Sequence, residues 1–215
     1  MRALLLLCAL LLSPAWALAE ETPLERVTID LADKPALQDG ARTFANYCMG
    51  CHSLKFQRYE RVADDLGIPH DLMLQNLVFT GAKIGDHMSN GMRPAEAKVW
   101  FGTAPPDLTL VARVRGNDWL YSYLRAFYAD PARPWGVNNH VFPNVGMPDV
   151  LAPLKASLEP QAFDTRVQNL VAFLAYSANP VKLQSQRIGA YVLLYLGIFL
   201  IFAFLLKREY WKDVH

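Results

Sequence analysis

The chain has 215 residues, a formal net charge of +1 and a hydrophobic content of 53%. So even a balance excludes the basic footprint of a nucleic-acid-binding protein, and the length left after terminal segments are set aside suffices for one hydrophobic core rather than two. Three cysteines in the whole chain leave no room for a disulfide framework.

At the N-terminus, Met1 and Arg2 precede an unbroken apolar stretch over 3–12, and Ala17, Leu18 and Ala19 supply the small-x-small pattern of a secretory cleavage site. An apolar core of about ten residues falls far short of the roughly 20 that span a bilayer. The prediction is a signal peptide over 1–19, with Glu20 starting the mature chain. Cys8 leaves with the signal, so Cys48 and Cys51 are the only thiols of the mature protein.

Next, "PALQDGARTFANYCMGCH" places Leu37, Gly40, Ala41, Phe44 and Cys48 on one helical face. It predicts an amphipathic helix running into the motif Cys48-Met49-Gly50-Cys51-His52. A CxxC spacing serves a redox dithiol, half a zinc site or covalent haem attachment. The dithiol needs no histidine after the second cysteine, and zinc needs a second ligand pair that this chain lacks. CxxCH is the c-type haem signature: the two thiols form thioethers with the haem vinyl groups, and the adjacent imidazole reaches the iron. Cys48 and Cys51 are then the tethers of one haem c, and His52 its proximal ligand.

Downstream, Trp119, Tyr123, Leu124 and Phe127 share a face, which predicts a helix over 118–129. Phe163, Val167, Leu170, Val171 and Leu174 follow the helical period after Pro160, with Ser157 placed to cap the start and Pro180 to end the run. Segments such as "GAKIGDHMSNGMRP", "FGTAPPDL" and "DPARPWGVNNHVFPNVGMP" are rich in Gly and Pro and read as ordered loops around a flat cofactor. The haem domain therefore occupies 20–180, followed by a polar linker over 181–187.

Residues 188–206 carry no charge over 19 positions, about 28 Å of helix, which matches a hydrocarbon core. Tyr191, Tyr195 and Trp211 lie at or near its ends. Lys207, Arg208 and Lys212 follow, so the positive-inside rule places the tail over 207–215 in the cytoplasm. The predicted fold class is mostly α: a cytochrome c-like haem domain with long ordered loops, plus one C-terminal transmembrane helix in the lipid bilayer.

An iron held by His52 needs a ligand on its other face. Met73, Met88, Met92, Met147, His70, His87 and His140 all carry a suitable donor; Met49 lies inside the attachment loop, on the histidine side. Met147 stands out because Gly146 and Pro148 flank it in a stiff loop. A His/Met pair suits reversible one-electron transfer, since the soft thioether favours ferrous iron. Trp135, Tyr121 and Phe142 are aromatic side chains available to pack on a porphyrin.

In their order, "CMGCHSLKFQRYE", "GMRP", "APPDLTLVARVRG", "NVGMP" and the terminal "KREYWKDVH" resemble the cytochrome c1 family, the haem subunits of ubiquinol:cytochrome c oxidoreductase (bc1) complexes, in a bacterial form. The resemblance implies that Met147 is the sixth ligand, that the Pro106 carbonyl accepts the proximal imidazole N–H, and that Arg115 neutralises a haem propionate, with Arg113 and Arg93 as substitutes. It further implies an electron-transfer subunit without bond chemistry of its own, carrying one electron from a Rieske iron–sulfur protein to a c-type cytochrome beside cytochrome b, at the periplasmic side of the inner membrane. The alternative is a free-standing membrane-anchored cytochrome c donating to a terminal oxidase. Two features depart from the family pattern: there is no extra cysteine pair, and 18 acidic against 17 basic side chains over 20–187 make the domain nearly neutral. Glu60, Asp64 and Asp65 are the nearest thing to an acidic docking face.

Overall fold

Asp33 sets the start of the first helix: its carboxylate accepts the Ala36 N–H at 3.1 Å, and Pro35 sits in the first turn, where a missing N–H costs nothing. The computed structural model describes residues 23–213, so the signal predicted over 1–19 lies outside the described residues. Helix α1 (Lys34–Thr43) runs without a break into a π-helical turn, Phe44–Cys48. Leu37, Gly40, Ala41, Phe44 and Cys48 are all buried, as their spacing predicts.

That stripe packs on α8 (Pro160–Ala178), which buries Phe163, Val167, Leu170, Val171, Phe173 and Leu174. The two helices touch backbone to backbone at Gly40. A Cβ there would lie 2.0 Å from the Asn169 carbonyl oxygen and 2.7 Å from Phe173 Cβ. One turn on, the rings of Phe44 and Phe173 meet at 5.8 Å. Asp39 closes the edge of the contact, accepting from Asn169 Nδ2 at 2.9 Å and pairing with Arg166 at 3.1 Å.

Between these helices the chain forms short elements around the pair. Strand β1 (Leu54–Arg58) pairs antiparallel with β2 (His87–Met88) across α2 (Tyr59–Leu66) and α3 (His70–Asn76). Then come α4 (Pro94–Phe101), α5 (Val111–Arg115), α6 (Asn117–Arg125), the hairpin of β3 (Phe127–Ala129) and β4 (Val137–Asn139), and α7 (Ala152–Ser157). Both α5 and α6 pack on α8. The N-terminal segment is pinned along α6, where Val27 N–H donates to Asp118 at 2.9 Å and Glu25 N–H to Ser122 Oγ at 2.8 Å.

Three expectations are corrected. The helix predicted over 118–129 ends at Arg125, because 127–129 pairs with 137–139 as a strand. Ser157 does not cap α8. Its hydroxyl donates to the Leu154 carbonyl at 3.0 Å and closes α7, while Pro160, tolerated only in a first turn, fixes where α8 begins. The polar segment over 181–187 is helical from Lys182 onward, so the irregular connection shrinks to Asn179, Pro180 and Val181. Helix α9 (Lys182–Tyr210) has 29 residues, none buried against the rest of the chain. At 1.5 Å per residue it is about 44 Å long, enough for the apolar span plus a polar turn or two at either end. The class is mostly α, with one long apolar C-terminal helix.

Candidate functional site: a cavity between two thiols, an imidazole and a thioether

The π turn and the bonds that follow it shape the motif. Met49 N–H donates to the Phe44 carbonyl, and Cys51 and His52 N–H both donate to the Cys48 carbonyl, at 3.1 and 2.8 Å. This tight loop turns Cys48, Cys51 and His52 toward one cavity of about 290 Å³. Most of the remaining lining is apolar or aromatic, from Tyr47, Phe101, Leu108, Val111, Trp119, Tyr123 and Phe142 to Leu170 and Leu174 of α8. The helix pair that makes the core therefore also makes the cavity wall.

His52 is buried, and its Nδ1 lies 2.7 Å from the Pro106 carbonyl oxygen. A carbonyl only accepts, so Nδ1 carries the proton and Nε2 keeps its lone pair. Burial pushes the imidazole below its ordinary range, outweighing the Pro106 bond and the Asp107 charge that act the other way. The ring is thus neutral and oriented, the state a metal ligand requires. Burial also raises both thiols, Cys48 to about 12 with Cys51 contributing. Neither is a thiolate at neutral pH, which disfavours a reactive dithiol. Among the described residues no three His, Cys, Asp or Glu side chains cluster to hold a metal ion.

Of the seven candidates for the second axial position, only Met147 lines the cavity. Met73 and Met88 are buried elsewhere in the core. His70 pairs with Asp64 at the surface, 2.8 Å away, His87 is exposed on β2, and His140 stacks on Tyr128 at 4.2 Å. Met92 precedes α4 outside the lining. Arg115 is the one cationic side chain among the described lining residues. Its guanidinium sits 4.9 Å from the Trp119 ring centre and 5.7 Å from that of Phe142. Arg93 and Arg113 do not line the cavity; Arg93 pairs with Glu96. Of the aromatic residues, Phe142 lines it, Trp135 packs behind Phe101 at 5.4 Å, and Tyr121 lies under Arg125, off the cavity. Two sulfurs at sequence spacing, a fixed imidazole, a thioether and an apolar slot fit a haem.

Sequence reasoning missed the residues that hold the Met147 loop. Asn138 Oδ1 accepts from Asn144 N–H at 2.8 Å, and Asn139 Oδ1 from Val141 and Phe142 N–H at 2.9 and 3.1 Å. Asn139 Nδ2 donates to the Tyr123 carbonyl at 2.8 Å, tying the loop to α6. Arg133 donates to the Asn144 and Val145 carbonyls. Paired asparagines in a Gly/Pro-rich loop were the available signal, since their side chains bond nearby backbone. Asn139 is 1% exposed, so Asn139→Ala strands the buried Tyr123 carbonyl at about 1–3 kcal/mol and removes the acceptor of two part-buried amides. We expect amide exchange at Val141 and Phe142 to accelerate tenfold or more, while exchange in α1 stays unchanged.

A model of the Cytochrome C1 family matches residues 76–214. The cytochrome c1 of Allochromatium vinosum is 47% identical, over 100% of this chain and 100% of that protein. The ammonia monooxygenase gamma subunit of Nitrosomonas europaea is 41% identical, over 98% of this chain and 97% of its own length. The cytochrome c1 of Rhodospirillum rubrum is 28% identical over 85% and 83% of the two chains. The matched segment contains Pro106, Arg115 and Met147, and the full-length similarity also takes in Cys48, Cys51 and His52. This chain belongs to the cytochrome c1 family.

Proposed function

We propose that the chain is the membrane-anchored electron-transfer haem subunit of a bc1 complex, taking one electron from a Rieske iron–sulfur protein and passing it to a c-type cytochrome. The observation that carries the reading is the meeting of Cys48, Cys51, His52 and Met147 in a single cavity. Bound there, haem supplies a one-electron ferric/ferrous couple. Cys48 and Cys51 would tether it, His52 Nε2 and Met147 Sδ would be the donors that hold its iron, and the Pro106 carbonyl holds the imidazole in register. Arg115 supplies a positive charge to a propionate, held by two aromatic faces. The apolar walls exclude water, so little reorganises when the charge changes.

In the proposed arrangement, 1–19 is a cleaved signal, 20–180 the periplasmic haem domain, 188–206 the span, and 207–215 the cytoplasmic tail of an inner-membrane protein beside cytochrome b. The acidic docking face has little support. Asp65 is engaged by Arg61 and Tyr176, and Asp64 by His70, so docking to a c-type cytochrome would rest on other contacts.

Two measurements test the reading. Intact mass of the mature chain should show loss of the signal and gain of one haem. Purification in mild detergent should bring along cytochrome b and an iron–sulfur protein. Recovery with a terminal oxidase, or with a monooxygenase of the kind the Nitrosomonas relative is named for, would reassign the partner while leaving the haem in place. Rapid carbon monoxide binding by the intact ferrous protein would instead point to an open distal position and a sensor or enzyme.

A further inference from the structure

The ring of Tyr123 is held on both sides. Trp119 stacks on it at 4.8 Å and 8°, and Phe127 meets it edge-on at 5.4 Å. Its backbone carbonyl accepts the Asn139 bond that anchors the Met147 loop. With ring and backbone fixed, the hydroxyl has one place to be: 3.4 Å from Met147 Sδ, at the cavity wall. A phenol has one proton to donate, and a thioether sulfur has two lone pairs.

We propose that Tyr123 is a positioning and tuning residue for Met147: its hydroxyl donates to one lone pair of Sδ and leaves the other turned into the cavity. The inference rests on Met147 as the axial ligand and adds to it a hydrogen bond that sets the strength of that ligand. Its effect has a definite sign. A sulfur that shares electron density with a proton donates less to iron, and weaker donation destabilises the ferric state more than the ferrous. The hydroxyl therefore raises the reduction potential. It also restrains the thioether in the ferric state, where an iron–sulfur bond is weakest.

Tyr123→Phe keeps the ring and both aromatic contacts and removes only the donor. In the haem-loaded full chain, we expect the ferrous-to-ferric preference to fall about two- to tenfold, the span of one net hydrogen bond. The upper end corresponds to 59 mV for a one-electron couple. The ferric iron–thioether charge-transfer band should move in energy but persist. Tyr123→Leu, which loses ring and hydroxyl together, separates packing from donation. Equal falls in both variants support donation, whereas a fall in Tyr123→Leu alone overturns the proposal. A measurement on the unaltered ferrous protein covers poor folding of either variant. The Tyr123 hydroxyl proton should give a slowly exchanging magnetic resonance with a cross-peak to the Met147 methyl, and absence of that cross-peak overturns the proposal too. A charge-transfer band that survives Met147→Ala would remove the ligand assignment itself, a failure distinct from a silent Tyr123→Phe in a protein whose band requires Met147.

Discussion

Gly40→Ala is expected to lower the melting temperature of the haem-loaded protein by roughly 2–12 °C. Two effects oppose each other. Alanine gains up to about 1 kcal/mol of helix propensity over glycine. Against that, its Cβ would sit 2.0 Å from the Asn169 carbonyl oxygen and 2.7 Å from Phe173 Cβ. The first neighbour is backbone, so no rotamer change relieves the clash. Helices α1 and α8 must move apart along the contact that buries Leu37, Ala41 and Phe44. Overpacking of this kind costs about 1–3 kcal/mol and occasionally more, and one kcal/mol moves the midpoint by roughly 2–4 °C in a domain of this size. The damage also reaches function, because Leu170 and Leu174 of α8 line the cavity. Gly91→Ala is the control: a Cβ there meets nothing within 4 Å. Superimposable melting curves for the two variants would refute the close crossing.

Met147→Ala is expected to lower the reduction potential by a substantial part of the roughly 0.8 V that axial ligand choice commands, to abolish the iron–thioether band, and to open the iron to carbon monoxide. Three readouts moving together separate a lost ligand from a loosened fold. Met88→Ala provides the contrast. Met88 is 2% exposed and sits in the core beside β1, so truncation costs about 2–5 kcal/mol and leaves potential and spectrum where they were. A Met147 variant with native spectrum and potential would require the ligand to come from elsewhere, although none of the other six sequence candidates lines the cavity.

The two long-range helices were legible because their apolar spacing is a helical period: every residue assigned to the buried face of α1 is buried, and so is the stripe from Phe163 to Leu174. The CxxCH motif was legible because its spacing is local, confined to Cys48, Cys51 and His52. What escaped notice depends on partners far along the chain. Gly40 shows its importance only against Asn169, and Asn139 only against Tyr123. The strands at 87–88 and 127–129 are too short to display an alternating period and lie in or beside loops that Gly and Pro dominate. The π turn at Phe44–Cys48 has no sequence signature of its own; it is a local adjustment that lets one helix both pack on α8 and deliver a thiol to the cavity. Met147 was singled out by its Gly146 and Pro148 neighbours and by the family resemblance, but its place on the cavity wall depends on α5, α6 and the 140–150 loop folding onto α8.

The joint at Asn179, Pro180 and Val181 leaves too little slack for a tether that swings. Proline stiffens it, and helices on both sides clamp its ends. With the apolar helix in a bilayer, a joint of three residues would keep the cavity close to the membrane surface. In the proposed electron-transfer role, travel between donor and acceptor would then fall to the partner proteins.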